Sequence, residues 1–415
     1  MSNLTAVELQ AKDRPFTQLA ERILDGEYFM IRNCLPQLEL LDTLTNASYQ
    51  GILETVGKEK ADEVMENGFD KIHQYITPED IPRVTDAAYE FIEPKTLEFL
   101  KKFVSNIIGK TDRFYFERKA NVRFHIPHDI AAPYLAKYQQ FSHKRGDGKI
   151  TPHRAHRDDW VDCPSNLINI WIAVGPVRKG NGLTLYPETY RSNLKNDGPY
   201  IASDENPGLA TTFNMEPGDV ILFHGSHVHG SEINVTDTTR HVISFRIALD
   251  KPIYSYGHHH HYAWSPLAGG IFDMFAEIPQ NMAWSYVKYK IFQANRKLKG
   301  LIGIKPIKSR PKTQVDHTLK KPIPLSDLKP GVILPWSTSI CVTREESGNI
   351  LAFSRHCPHE GADLAYGVIS DNQVKCPWHN LSINPSTGET ACQSLNHLKT
   401  YPTEINNNEV TVIEN

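Results

Sequence analysis

The sequence predicts a mainly β protein with bracing helices, in which a large strand-rich domain is followed by a small all-β domain. Short apolar runs separated by turn residues recur between positions 166 and 249, a spacing typical of a barrel or sandwich. Apolar residues at helix-like intervals fill positions 35–110. Two short loops that carry cysteine and histidine, 357–359 and 376–379, mark the second domain.

The strand assignments rest on apolar runs and on the turns beside them. Residues 166–175 are mostly apolar and predict a buried strand. Residues 181–187 predict a turn that enters the next strand, and residues 216–219 predict a turn that leads into the run 219–223. Alternating residues from 113 to 125 predict the strands that enter the barrel.

The helix-like segment 35–110 predicts an outer layer that braces the barrel. Its apolar residues recur at helical spacing, with lysine and glutamate at many intervening positions. The apolar positions are Leu38, Leu40, Leu41, Leu44, Phe91, Leu97, Phe99, Leu100 and Phe103.

Composition limits the class of protein. A chain of 415 residues predicts two or three domains, and a sequence pI of about 6.7 gives no general attraction to nucleic acid. No apolar stretch is long enough to predict a transmembrane segment, and the N-terminus lacks the pattern of an export signal. Cys34, Cys163, Cys341 and Cys392 are expected to be reduced and structural, so we expect a cytoplasmic protein.

A histidine and a carboxylate form the first candidate site. His156 and Asp158 are two residues apart, so on an extended segment both side chains point the same way. A second histidine from a distant strand, His229, completes a 2-His-1-carboxylate triad, which leaves open positions on ferrous iron (Fe2+). His153, His224 and His227 are competing ligands or supporting donors.

The strand 240–249 predicts one wall of a pocket. Arg240, Val242, Ser244 and Arg246 share one face, while the other face is mostly apolar. An inward arginine beside a serine suits a carboxylate, because guanidinium binds carboxylate through two hydrogen bonds. The expected cosubstrate is 2-oxoglutarate, with Arg240 as its anchor; Arg246 is the alternative anchor, or else a salt-bridged wall residue.

These residues resemble the phytanoyl-CoA dioxygenase group of iron and 2-oxoglutarate oxygenases. The resemblance covers roughly residues 110–255 and is carried by residues 156–160, 180–187 and 229–234, followed by Arg240. It implies a double-stranded β-helix, a jelly-roll or cupin-like oxygenase domain. It also implies that the histidine of the second His-Gly-Ser, His229, is a ligand.

The same resemblance implies roles for two more residues and a limit on the chemistry. An arginine eleven residues beyond the distal histidine binds 2-oxoglutarate in the family, which is Arg240 here, and Ser244 is a helper. Asp158 argues against halogenation, because the family's halogenases have a small residue there. Residues 187–190 read Pro-Glu-Thr-Tyr where many relatives have Pro-Gly-Ser-His, so the substrate is not inferred from the family.

Three segments admit two interpretations each, and a fourth predicts a linker. The polar loop 139–148 is a solvated loop or a lid, and His258–His261 form a surface loop or line the pocket. Residues 281–299 predict a basic amphipathic helix, which packs one domain on the other or contacts an anionic membrane or acidic substrate. Residues 306–321 are rich in charge and proline and predict a linker.

The C-terminal loops carry the most specific pattern. Cys357 and His359, then Cys376 and His379, form C-x-H and C-x-x-H pairs. Two thiolates on one iron and two imidazoles on the other hold a Rieske [2Fe-2S] cluster (2Fe-2S). A zinc site is the alternative, since cysteine and histidine also suit zinc.

This region resembles Rieske ferredoxins and the Rieske domains of oxygenases over about residues 322–415. The matching residues are 357–364, 376–379 and Gly388-Glu389. Ala362 and Trp378 stand where the respiratory type would place two extra disulfide cysteines. The resemblance therefore implies the low-potential, ferredoxin-like subclass.

The combined patterns predict an oxygenase-like domain at 1–305, a linker at 306–321 and a Rieske domain at 322–415. We expect a hydroxylase that uses O2 and 2-oxoglutarate on an unactivated C–H of a small or carrier-bound substrate. The Rieske centre would supply electrons from an external ferredoxin or flavin reductase. The sequence leaves the oligomeric state open.

Two other functions are compatible with the sequence. In one, the barrel does not use 2-oxoglutarate and takes both electrons through the cluster; in the other, the chain is a non-catalytic iron or redox sensor. Rieske oxygenases place the cluster domain first and bind iron through Asp-x-x-His-x-x-x-x-His, a helix motif missing from this sequence. Arg240 favours the 2-oxoglutarate hypothesis.

Overall fold

A computed structural model describes residues 6–109, 114–117, 120–134, 152–160, 163–250, 252–253, 264–266 and 322–414. The segments 139–148, 258–261, 281–299 and 306–321, each given two interpretations or a linker role above, lie outside the described residues.

The helices lie mostly in the N-terminal quarter of the chain. Their bounds are α1 (Leu19–Leu24), α2 (Cys34–Gln37), α3 (Leu41–Val56), α4 (Lys58–Asn67), α5 (Ile72–Tyr75), α6 (Ile81–Ile92), α7 (Thr96–Phe103) and α8 (His128–Ala131).

The strands of the larger domain are β1 (Val7–Gln10), β2 (Phe29–Arg32), β3 (Tyr115–Glu117), β4 (Asn121–His125), β5 (Ile168–Ala173), β6 (Leu183–Tyr186), β7 (Asn196–Asp197), β8 (Tyr200–Ile201), β9 (Val220–His224), β10 (Val228–Ser231), β11 (Arg240–Ala248) and β12 (Trp264–Pro266). Those of the C-terminal region are β13 (Ile323–Pro324), β14 (Ile333–Pro335), β15 (Ile340–Arg344), β16 (Ile350–Ser354), β17 (Val368–Ser370), β18 (Gln373–Lys375), β19 (Ser382–Ile383), β20 (Thr400–Tyr401), β21 (Thr403–Asn406) and β22 (Glu409–Val412).

The larger domain is a two-sheet jelly roll. Its main sheet runs in the order β1-β2-β9-β5-β11-β3-β12, with β4 also paired to β11, and β6 pairs with β10 in a second sheet. The inner core between the sheets includes Trp171, Leu185, Phe223 and Val242. The main sheet therefore also draws strands β1, β2 and β12 from outside positions 110–255.

The helices cover the outer face of the main sheet, as the sequence predicts. Ile243 and Phe245 of β11 share one buried core with Leu44 of α3 and Phe103 of α7. The ring of Phe99 stacks on that of Phe245 with centroids 4.8 Å apart. The alternation of β11 places its apolar face against these helices and turns Arg240 and Arg246 inward.

The C-terminal region forms small antiparallel sheets, ordered β13-β22-β21, β14-β15-β16-β20 and β17-β18-β19. The first cysteine-containing loop follows β16, and the second lies between β18 and β19. Phe353, Val374 and Ile383 pack in its core, and Ile233 of the larger domain joins the same core. Within the described part of the chain, no helix is long and apolar enough to cross a membrane.

Candidate iron and cluster sites

Two backbone segments bring the first candidate ligands together. His229 lies on β10, and His156 pairs with it through two backbone N–H to carbonyl hydrogen bonds of 2.8 Å each. Asp158 begins a short 3-10 turn, where the sequence suggested continued extended chain. Its amide donates to the Gly225 carbonyl at 3.1 Å, which keeps the carboxylate beside both histidines.

The geometry of this triad suits a metal ion. The ligand atoms of His156, Asp158 and His229 all lie within 4.8 Å of one another. Nδ1 of His156 donates to the Arg154 carbonyl at 2.7 Å, and Nδ1 of His229 donates to the His227 carbonyl at 3.0 Å. Because each Nδ1 holds the proton, each Nε2 keeps a lone pair for a metal.

The carboxylate of Asp158 is held on both oxygens. Arg246 donates to Oδ1 at 3.0 Å and Asn169 to Oδ2 at 2.7 Å, and Arg246 also donates to Glu117 at 3.0 Å. Burial alone would raise the pKa of Asp158, but Arg246 and the two histidines outweigh it and lower this pKa to about 2. Burial lowers the pKa of His156 to about 3. Neutral imidazole with an ionised carboxylate is the donor set that a divalent iron ion requires.

Gly225 is part of this arrangement for a steric reason. A Cβ at that position would lie 2.6 Å from Cδ1 of Leu167 and 3.0 Å from Oδ2 of Asp158. Glycine therefore lets the segment after β9 approach the carboxylate.

The competing histidines have other partners. Nδ1 of His224 accepts from the Ser226 amide at 3.0 Å, and Nε2 of His227 donates to the Gly26 carbonyl at 3.0 Å. The ring of His153 lies 5.6 Å from that of His156, between centroids. In the described ranges, the metal-ligand cluster at this site contains His156, Asp158 and His229 only.

Arg240 is buried and contacts polar groups of neighbouring segments. Its Nη1 donates to the carbonyls of Asn181 and Gly182, both at 3.1 Å, and to Ser231 Oγ at 3.3 Å. Burial lowers the pKa of Arg240 to about 9, with a further contribution from Arg123. Ser244 is half-buried on the same face of β11, four residues farther along.

Additional donors point into the same region. Arg123 of β4 pairs with Val242 of β11, so it lies diagonal to Arg240. Among the described side chains, Nη1 of Arg123, Nε of Arg240, Nδ2 of Asn121 and Oγ1 of Thr184 are buried without a hydrogen-bond partner. Buried donors that lack partners are rare, so this group predicts an anionic ligand.

The second site joins two loops of the C-terminal region. The sulfur atoms of Cys357 and Cys376 lie in hydrogen-bonding contact, and the rings of His359 and His379 are 4.8 Å apart between centroids. All four predicted cluster residues therefore meet at one end of the domain. Cys357, Cys376 and His379 are buried.

The donor chemistry of this site fits a two-iron cluster. Backbone amides of His359 and Glu360 donate to Cys357, and those of Trp378 and His379 donate to Cys376. Such N–H groups stabilise thiolates. Neither ring nitrogen of His379 has a hydrogen-bond partner among the residues described, and Nδ1 of His359 has none either.

The cluster loops lie directly against the larger domain. The amide of Ala155 donates to the Trp378 carbonyl at 3.1 Å. The Arg154 guanidinium lies 3.9 Å from the centroid of a Trp378 ring, and its Nε donates to Glu360 at 2.7 Å. The His128 ring meets the His359 ring edge-on at 5.3 Å.

Sequence patterns do not reveal the roles of several of these residues. Asn169 is predicted only as part of a buried strand, and no role is predicted for Arg154 or Arg123. Arg123 could be found from the alternation of β4, which places its side chain on the inward face. No sequence pattern pairs Arg154 with Trp378, because the two residues are far apart along the chain.

Fold and site together define a non-haem iron oxygenase domain joined to a Rieske domain. A family model for phytanoyl-CoA dioxygenase (PhyH) matches residues 28–242, more than half of the chain, and a model for the Rieske [2Fe-2S] domain matches residues 321–402. The chain therefore belongs to the phytanoyl-CoA dioxygenase family and carries a C-terminal Rieske domain. Membership implies Fe2+ and 2-oxoglutarate, and the Rieske domain implies a [2Fe-2S] cluster.

Curated relatives match one domain or the other. Phytanoyl-CoA dioxygenase domain-containing protein 1 of Rattus norvegicus is 24% identical over 136 residues, 29% of this chain and 45% of that protein. Apoptosis-inducing factor 3 of Mus musculus is 34% identical over 93 residues, 21% of this chain and 15% of that protein. The ferredoxin component of the 2,4-dinitrotoluene dioxygenase system of Burkholderia sp. (strain RASC) is 33% identical over 67 residues, 16% of this chain and 64% of that protein. The chain thus spans less than two thirds of each of these relatives.

Proposed function

We propose that this protein is a 2-oxoglutarate-dependent hydroxylase whose iron is kept reduced by its own Rieske domain. The observation that carries the proposal is the pairing of two sites in one chain. Arg246 of β11 binds Asp158 of a triad whose two imidazole Nε2 atoms are available, and the same face of β11 carries Arg240, whose buried Nε lacks a hydrogen-bond partner among the described residues. The cluster loops contact the segment that bears His156.

The triad residues would hold ferrous iron. His156 and His229 would bind through Nε2 and Asp158 through one carboxylate oxygen, which leaves positions open for cosubstrate and O2. Iron bound there supplies the oxygen chemistry, in which 2-oxoglutarate is cleaved to succinate and carbon dioxide while a C–H bond of the substrate is hydroxylated. Arg246 and Asn169 orient the Asp158 carboxylate and keep it ionised.

The buried donors would bind the carboxylate of 2-oxoglutarate. Arg240 offers Nε, and Arg123 adds a second positive charge beside it. Two guanidinium groups close together in a buried site repel each other, so an anion between them stabilises both. Ser244 is proposed as a helper on the same face, and Thr184 is a further donor.

The Rieske domain would reduce the bound iron again when an uncoupled turnover leaves it ferric. Decarboxylation of 2-oxoglutarate already supplies two electrons per turnover, so the oxygenase needs outside electrons only after an uncoupled cycle. Cys357, His359, Cys376 and His379 would hold the cluster, and an external ferredoxin or flavin reductase would recharge it. All six cysteines are buried, and we propose a reducing, cytoplasmic environment in which their thiols stay reduced.

The test is a succinate assay on enzyme reconstituted anaerobically with Fe2+ and cluster. Arg240→Ala should lower succinate formation about a hundredfold at limiting 2-oxoglutarate, since loss of a buried charged contact typically costs several kcal/mol. Arg83→Ala, which removes an exposed arginine on α6, is the matched control and should behave like the wild type.

A chemical reductant for the cluster separates the alternatives. Succinate that forms without reductant and continues for more turnovers with it supports the proposal. Product that requires reductant but not 2-oxoglutarate would instead favour an oxygenase fed through the cluster. No turnover under any of these conditions would favour a sensor.

A further inference from the structure

The docking of the two domains places the cluster loop in backbone contact with the iron site. His379, a proposed cluster ligand, is covalently joined to Trp378, whose carbonyl accepts the hydrogen bond from the Ala155 amide. Ala155 is in turn covalently joined to His156, a proposed iron ligand. A continuous path therefore connects the two ligands through covalent bonds and one hydrogen bond of 3.1 Å.

The surroundings of this hydrogen bond hold it in place. Trp378 packs against a buried cluster that contains Ala155, Tyr186 and Val228 of the larger domain. On the open side, the Arg154 guanidinium covers the Trp378 ring and binds Glu360 through its Nε. Arg154 therefore contacts Trp378 of the second cluster loop and Glu360, which directly follows the first. We call this pair of contacts the Arg154 clasp.

The histidine edge of the cluster site is covered by the same chain. His379 is 1% exposed, and the side chain of His359 is 6% exposed, with His128 edge-on to its ring. Asn380 Nδ2 donates to Glu232 of the larger domain at 3.4 Å. The larger domain of the same chain therefore contacts the histidine side of the cluster site.

We propose that electrons pass from cluster to iron within one chain, through the Trp378 carbonyl and Ala155 amide, and that Arg154 is the positioning residue that keeps this hydrogen bond formed. The inference rests on the proposed function, because it requires iron at His156. In each transfer the reduced cluster loses one electron and becomes oxidised, and ferric iron gains it and becomes ferrous. An external one-electron carrier then re-reduces the cluster.

The route is tested by following a single electron transfer. Full-length protein is loaded with cluster and ferric iron, the cluster is reduced anaerobically by rapid mixing, and its visible spectrum reports reoxidation. Transfer within one chain predicts a first-order rate that does not change on dilution. A rate that rises with protein concentration would overturn the inference.

Arg154→Ala should slow reoxidation several-fold, because loss of its contacts lengthens the one non-covalent gap in the path, the hydrogen bond between Ala155 and Trp378. The matched control is Arg22→Ala, because Arg22 makes the same two kinds of contact within the larger domain. It lies 4.7 Å from the Phe29 ring centroid and binds both carboxylate oxygens of Glu27. Removing it should leave the transfer rate unchanged.

Two further readouts distinguish a broken electron path from damage to either metal site. The EPR signal of the reduced cluster and that of the ferrous nitrosyl adduct should be the same in Arg154→Ala and wild type, while the Ala155 amide should exchange faster with deuterium. If the alanine variant folds poorly, Glu360→Gln weakens the same clasp and should slow transfer in the same direction. An unaltered rate in a variant with rapid Ala155 exchange would refute the route.

Failure of the route differs from failure of the proposed function. If wild-type protein transfers electrons and Arg154→Ala does so equally well, only the route is wrong. If wild-type protein never reduces its iron although both metals are bound, the reductive role of the Rieske domain fails as well, and this inference with it.

Discussion

The two candidate metal sites of this chain are built in opposite ways. At the iron site, His156 and Asp158 lie two residues apart and His229 comes from a distant strand. Other groups hold these ligands: a carbonyl holds His156, and Arg246 and Asn169 hold Asp158. At the cluster site, ligands come as two short pairs on loops, and the ring nitrogens of His379 have no protein partner in the described structure. The first site is arranged before metal arrives, whereas the second depends on the cluster to complete it.

The sharpest test of this comparison removes one ligand from each site. Asp158→Ala should abolish iron binding and leave the cluster, and Cys376→Ser should abolish the cluster and leave the iron. Elemental analysis of total iron, together with the visible absorbance of the cluster, distinguishes the two variants. Loss of both metals in either variant, with unchanged circular dichroism, would contradict the independence of the two sites.

The next effect concerns the groups behind the iron ligands. Arg246→Met should weaken Fe2+ binding about ten- to a hundredfold, because Asp158 loses the partner that orients it and favours its charge. Titration with Fe2+ under anaerobic conditions measures the change. Arg83→Met is the control, and equal affinity in both variants would show that Asp158 needs no such support.

A smaller effect is expected from Gly225→Ala. The added methyl group would press on Asp158 and Leu167, so Fe2+ binding should weaken by about tenfold, at the low end for changes behind a ligand. Gly175→Ala is the control, since its Cβ would meet its neighbours at ordinary contact distances of 3.5 Å or more. Equal Fe2+ affinity in both alanine variants would show that the close approach at Gly225 does not affect iron binding.

The smallest effect is on stability and concerns His241, which lies outside both sites. Burial lowers its pKa to about 3, while Ser48 Oγ lies 2.8 Å from Nε2. The unfolded chain therefore binds a proton below its ordinary pKa and the folded chain does not, so stability falls as pH drops. His241→Gln should remove about 2 kcal/mol of the loss in unfolding free energy between pH 7 and pH 5.

Urea unfolding of the metal-free protein at the two pH values measures this difference. Other buried histidines, among them His224 and His227, titrate in the same direction, so the variant keeps part of the acid sensitivity. Identical pH dependence in variant and wild type would contradict a neutral, buried His241.

Much of the fold follows from local patterns. The outward face of β11 and the apolar stripes of α3 and α7 predict their shared core, because alternation and helical spacing are properties of neighbouring residues. The strands β1 and β2 could not be assigned to the main sheet in this way. Their place depends on pairing with each other and with β9, which is a long-range event.

The two candidate sites also differ in how far local sequence patterns predict them. The cluster pairs are contiguous, so spacing alone brings them to notice, whereas His229 had to be chosen among nearby histidines through a resemblance. The structure groups His229 with His156 and Asp158, and binds Arg246 to Asp158, the salt-bridged alternative of the two considered for it. Asn169 and Arg154 act through residues far away in the chain, so no local pattern shows their roles.

Ile233 gives this architecture a practical consequence. It belongs to the larger domain by chain position, yet it is buried among the core residues of the Rieske domain. Separate expression of the two domains would leave Ile233 exposed on the larger domain and a cavity in the core of the Rieske domain. Each domain expressed alone should therefore unfold at a lower temperature than it does in the intact chain, because it loses this shared packing.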